Sequence, residues 1–203
     1  MNIRNWLSIG VLSMALIASL LMGCGADEPA TPAPEAFERA AEEAGGAAGE
    51  ELLSNTSFED DLEPWYISRW GEGNEDLKPM RINDPEQGAN VEFPLPNAGG
   101  ISLVYNLYNL DESLRGRELV LHASGVSAAE GELALQMRYE INGESKRIDS
   151  AHPGDGEWRE WETGVQIPED GHPTHIRVQA FRRHVDNPSE IPVQLGSASL
   201  QVK

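Results

Sequence analysis

The side chains of this 203-residue chain best suited to chemistry are flat rings and forked hydrogen-bonding groups. The rings are Trp65, Trp70, Trp158 and Trp161, joined by Tyr66, Tyr105 and Tyr108. The forks come in two pairs, Gln136 with Arg138 and Arg177 with Gln179, each with one residue between. On a strand that spacing sends both members of a pair to one face. Amides and guanidinium groups bridge vicinal hydroxyls with paired hydrogen bonds, and an aromatic face packs against C–H surface. Such a set holds a ligand without altering it. Motifs for reaction are absent, with no nucleophile elbow, phosphate loop or zinc helix in the sequence. Nothing among the 34 Asp and Glu singles out a carboxylate pair for hydrolysis. His172 and His175 have a spacing that metals use on a helix, but Pro173 between them makes the segment a turn. The expectation is a protein that is not an enzyme.

The elements that position these groups read as strands. In "GELALQMRYEING", Leu133, Leu135, Met137, Tyr139 and Ile141 alternate with polar or small residues, the period of a strand with one buried face. Asn142-Gly143 then suits a tight hairpin turn into "ESKRID". Shorter alternations occur over residues 99–110, 117–128, 158–167, 174–185 and 191–202, bounded by Gly, Pro or Asp. No helix is expected after residue 51, so two antiparallel sheets packed face to face, an all-β sandwich, are the expected solution. With Leu135, Met137, Ile176 and Val178 turned to the core, Gln136, Arg138, Arg177 and Gln179 face outward. That face either lines a concave cleft or is a solvated surface where the arginines pair with surplus carboxylates; the alternation leaves both open. Trp161 lies three residues from Trp158, so the two rings face opposite ways, and with Trp158 inside Trp161 is outside. Trp70 precedes the Gly-rich acidic loop "GEGNED", where a large ring has little reason to be buried.

Composition divides the chain in three. Residues 1–23 carry Arg4 near the tip and no charge from Trp6 to Gly23, the layout of an export signal. Residues 24–51 are rich in Pro, Ala, Gly and Glu, with eight acidic residues against Arg39, and read as a flexible linker spanning on the order of 30 Å as a coil. Residues 52–203 form one domain with 13 Lys and Arg against 26 Asp and Glu, a formal charge of −13 within the −19 of the whole chain. That balance argues against nucleic acid as a partner.

Two resemblances sharpen the expectation. Leu21-Met22-Gly23-Cys24, holding the only cysteine, resembles the bacterial lipobox. This implies a lipoprotein with diacylglycerol on the Cys24 sulfur, palmitate or a similar chain on the new N-terminus, and firm anchoring to membrane lipid. Gly25 in place of an aspartate implies the outer membrane. An uncleaved N-terminal anchor is the other reading, and both put the domain outside the cytoplasm. Separately, "LLSNTSFEDDLEPW" (52–65), "LRGRELVLHASGVSA" (114–128), "GEWREWETGVQIPEDGHPTHIRVQAF" (156–181) and "VQLGSASLQV" (193–202) are similar to segments of the jelly-roll carbohydrate-binding modules of the galactose-binding-like superfamily.

That likeness implies a jelly-roll sandwich that binds a glycan or polysaccharide, with Trp65 and Trp158 plugging the core. Exposed Trp70 and Trp161 would meet sugar rings, and Gln136, Arg138, Arg177 and Gln179 would orient hydroxyls. It also implies a structural calcium held by Glu59, since hard cations take carboxylate and carbonyl oxygens. The closing strand departs from the pattern, with Gly196 and Ser197 about where the second carboxylate would stand. No other cofactor is implied. The competing reading is an envelope adaptor that uses the sandwich to dock another protein and binds no sugar.

Overall fold

The computed structural model describes residues 47–203. The signal segment, Cys24 and the linker up to residue 46 lie outside the described residues. Ten strands follow in chain order: β1 (Tyr66–Trp70), β2 (Met80–Asp84), β3 (Gly88–Phe93), β4 (Gly100–Tyr108), β5 (Glu118–Val126), β6 (Leu133–Ile141), β7 (Glu144–Ala151), β8 (Arg159–Gln166), β9 (Pro173–Arg183) and β10 (Val193–Val202). They form two antiparallel five-stranded sheets, in the order β1-β4-β9-β6-β7 and β2-β3-β10-β5-β8. Apart from one 3-10 turn at Glu112–Leu114, the described residues contain no helix. The expected all-β sandwich is the observed fold.

Each alternation marked in the sequence is a strand here, and the reason is visible in the core. Leu135, Met137, Ile176 and Val178 of the first sheet meet Leu121, Leu195 and Leu200 of the second, and all are fully buried. Asn142 and Gly143 both take positive φ, 54° and 78°, as a two-residue turn matched to the strand twist requires, and the register runs from Ile141↔Glu144 to Ala134↔Ala151. Trp65 is buried, edge-on to Tyr105 with centroids 5.3 Å apart at 76°, and tilted against Phe58. Both Trp65 and Tyr105 therefore serve the core. Strands β1, β2 and β3 had no clear signal, being five or six residues long with broken alternation. Ahead of residue 52 the chain is already held: Gly49 N–H donates to the Val202 carbonyl at 2.6 Å, and Glu51 pairs with Gln201.

His152 makes the fold sensitive to acid. It is fully buried, its Nδ1 accepting from Gly154 N–H at 2.9 Å and its Nε2–H donating to the Glu157 carbonyl at 3.1 Å. Burial pushes its pKa below the ordinary 6.5, and the two bonds require the neutral ring. Below pH 6.5 the unfolded chain takes up this proton before the native chain does, so stability is full above that value and falls as pH drops toward the lowered native value. Burial and the nearby Arg177 lower the pKa of His175 as well, adding in the same direction. Urea midpoints measured between pH 7.5 and 5 are expected to fall, with a shallower decline in His152→Asn; a flat profile would contradict this assignment.

Candidate functional site

The outward face of the first sheet carries a cleft of about 680 Å³. Cross-strand partners share a face, so register builds its floor row by row. One end is Trp70, Gly100 and Arg183, followed by Ser68, Ser102 and Phe181. The middle row is Gln179, Gln136 and Asp149, and the next is Arg177, Arg138 and Arg147. The structure thus brings Trp70, Gln136, Arg138, Arg177 and Gln179 into one cleft.

Trp70 is the aromatic wall, and glycines set its place. A Cβ on Gly100 would stand 2.3 Å from the indole, and one on Gly99 would meet the Trp70 carbonyl at 2.4 Å, so the ring lies where no side chain intrudes. Gly99 also takes φ 64°. Phe181 supports the indole edge-on, centroids 5.9 Å apart at 71°, and the Arg183 guanidinium covers Phe181 at 5.3 Å. Behind Trp70, the buried Asn74 ties two loops together: its Nδ2 donates to the Trp70 carbonyl at 2.7 Å and to that of Ala98, and its Oδ1 accepts from Asn97 N–H at 3.0 Å.

The polar floor is internally oriented. Gln136 Nε2 donates to Asp149 Oδ1 at 2.7 Å, and Arg138 Nε donates to Gln136 Oε1 at 2.6 Å, which fixes how the amide points. Arg147 Nε stands 3.1 Å from Asp149 Oδ2. Beside Arg177, His175 stacks on Tyr108 with centroids 4.7 Å apart, and its Nε2–H donates to Asn106 Oδ1 at 3.2 Å. Asn106 Nδ2 in turn donates to the Tyr66 hydroxyl at 2.9 Å.

The two tryptophans of the β8 segment sit opposite to expectation. Trp161 pairs with Ala123, whose side chain is in the core, and packs on the core and edge-on against the buried His152 at 5.4 Å. It does not join the cleft; it borders a shallower depression, about 380 Å³, beside His122 and Ser199 on the other sheet. Trp158 precedes β8, is half-buried, and lies against Gly196 at the bulge in β10, where a Cβ would come within 2.5 Å of the ring. The rings do take opposite sides, with the assignments exchanged, because Trp158 stands before the regular strand and the Ala123 pairing decides which way β8 faces.

Calcium does not fit at Glu59. The side chain is exposed, and the carbonyls of Phe58 and Glu59 accept from the Arg81 guanidinium, through Nε at 2.6 Å for Phe58 and through Nη2 for Glu59. A cationic side chain already uses the oxygens a calcium ion would need. At the closing strand Ser197 Oγ lies 2.8 Å from Ser124 Oγ, so it too is engaged. Among the described residues no group of three or more His, Cys, Asp or Glu is placed to hold a metal.

Sequence reasoning missed Arg147, Asp149, Phe181 and Arg183 as cleft residues. Counting from the Asn142-Gly143 turn places Arg147 opposite Arg138 and Asp149 opposite Gln136, and continuing the β9 alternation past Gln179 places Phe181 and Arg183 on the same face. That signal was available.

No protein-family model matches this sequence, and no curated protein matches it. Solved structures do resemble the fold. The enzymatically active domain of bacteriophage CBA120 tailspike protein 4 aligns with TM-score 0.57 and 12% identity over 74% of this chain, which spans only 21% of that longer one. TmCBM61, solved with β-1,4-galactotriose, aligns with TM-score 0.51 and 16% identity over 76% of this chain and 99% of its own. The arabinose-bound α-L-arabinofuranosidase MgGH51 aligns with TM-score 0.51 and 14% identity, over 77% of this chain and 27% of that one. At such identities the likeness is one of architecture: this chain has the jelly-roll sandwich found in carbohydrate-binding modules such as TmCBM61 and in parts of larger proteins.

Proposed function

We propose that this chain is a tethered, non-catalytic glycan-binding module. One observation carries the reading: an aromatic face, Trp70, and two amide–guanidinium pairs, Gln136 with Arg138 and Arg177 with Gln179, share one cleft whose volume lies within the roughly 300–1,000 Å³ usual for ligand sites. The indole packs against the C–H face of a sugar ring, and the amides and guanidinium groups take its hydroxyls. The jelly-roll likeness adds to this, because one similar structure holds a galactotriose. The protein is held to membrane lipid through an acylated Cys24, and the domain faces away from the cytoplasm, at the outer membrane.

Two measurements test the two halves. The purified chain on a glycan array is expected to bind a defined set of polysaccharides and to lose them on Gln179→Ala; silence across the array would remove the glycan reading in favour of protein docking. The intact mass of protein extracted from membranes is expected to show a chain starting at Cys24 with added acyl groups. An unmodified Met1 terminus would rule out the lipid tether.

A further inference from the structure

The charge of the cleft runs against that of the chain. The domain carries twice as many acidic as basic residues, yet the cleft holds Arg138, Arg147, Arg177 and Arg183 against the single carboxylate of Asp149. Three of the arginines stand side by side on adjacent strands, Arg177↔Arg138↔Arg147 across β9, β6 and β7. Like charges directly opposite on a sheet are destabilising, and the nearby Asp149 answers only one of them, Arg147. Arg138 is oriented by the neutral Gln136 amide and is not neutralised by a carboxylate. Arg177 makes no ion pair among the described residues, and its Nε is buried without a hydrogen-bond partner. The Glu140 carboxylate, in the next row opposite His175, is not ion-paired with Arg177.

A row of guanidinium groups with one buried donor left open is complementary to an anion. The planar fork matches a carboxylate with two parallel hydrogen bonds. The domain's acidic surplus does not cancel this attraction, because fields from exposed charges fade over about 8 Å at physiological ionic strength. Length also follows from the register. Six residues of β4 separate Gly100, beside Trp70, from Asn106, beside Arg177, and at the strand rise that is about 20 Å. A single sugar ring cannot reach both.

We propose that the ligand of this cleft is a carboxylated polysaccharide, one uronate carboxylate held by Arg177 and Arg138 while a ring further along the chain packs on Trp70. The inference rests on the glycan reading and narrows it. The test is titration of the full-length chain, in detergent, with polygalacturonate, alginate and hyaluronan, with each polymer after esterification of its carboxylates, and with neutral β-1,4-galactan and dextran sulfate. At least one uronate polymer is expected to bind, at least tenfold more tightly than its ester. Arg177→Ala is expected to weaken that binding at least tenfold with an unchanged melting temperature, and Arg177→Lys to restore only part, because it keeps the charge and loses the fork. Binding to galactan or to the esters as tight as to the acids would overturn the acidic ligand and leave the glycan reading standing. Dextran sulfate bound as tightly as the best uronate would overturn carboxylate recognition in favour of bare charge attraction. No binding to any polymer would remove both.

Discussion

Glu132→Ala is expected to lower the unfolding free energy by roughly 3–5 kcal/mol, the cost of leaving a buried charge without its partner. Glu132 is fully buried, and its Oε1 accepts from Arg182 Nε at 2.8 Å and Nη2 at 2.6 Å. Its Oε2 accepts from Ser127 Oγ at 3.2 Å and Ser189 N–H at 2.9 Å. Arg182 points inward from β9, and its Nη1 donates to the Phe93 carbonyl of β3 at 2.8 Å. One ion pair thereby joins the two sheets and pins the segments around Ser127 and Ser189. Removing the carboxylate strands a guanidinium in the core and frees both loops. The paired replacement Glu132→Leu with Arg182→Met is expected to recover most of the loss, since apolar groups of similar volume dispense with desolvation of both charges. Equilibrium denaturation in urea measures both; a loss under 1 kcal/mol for the single variant would show the pair to be dispensable.

Trp70→Ala and Trp161→Ala are expected to fail in opposite ways. Trp70 lines the cleft over Gly100, so its truncation removes the stacking face and is expected to weaken glycan binding by roughly 2 kcal/mol, about thirtyfold, with a small change in melting temperature. Trp161 packs under β8 against His152 and the core, so its truncation leaves a partly collapsed cavity and is expected to cost about 1–3 kcal/mol of stability. Affinity in that variant is expected to stay within twofold. The comparison needs only a melting curve and a binding isotherm for each protein. A Trp161 variant that folds normally and no longer binds would move the site to the other sheet.

Much of the cleft could be read from local pattern. Period-two alternation turned Gln136, Arg138, Arg177 and Gln179 outward, and the structure has them so, because Leu135, Met137, Ile176 and Val178 claim the inside. Alternation is a property of one strand and says nothing about which strand lies next to it. That β6 pairs with β9, some forty residues on, is a long-range contact, and only it puts Arg138 against Arg177. Trp161 shows the same limit from the other side: its facing depended on where the regular strand begins and on its pairing with Ala123.

By itself the sequence determined the sandwich, the tight turn at Asn142-Gly143 and the outward sets on β6 and β9, because burial of every second side chain and the backbone demands of a two-residue turn are local constraints. Tertiary structure alone decided the rest. It gathered arginines from three strands of an acidic domain into one row, and it set Trp70 on Gly100. It also sent Arg182 inward to meet Glu132 and gave the Phe58 and Glu59 carbonyls to Arg81. The physical reason is common to all four: charge and shape act through space, between residues far apart in the chain, and net composition averages over the arrangement that makes a site.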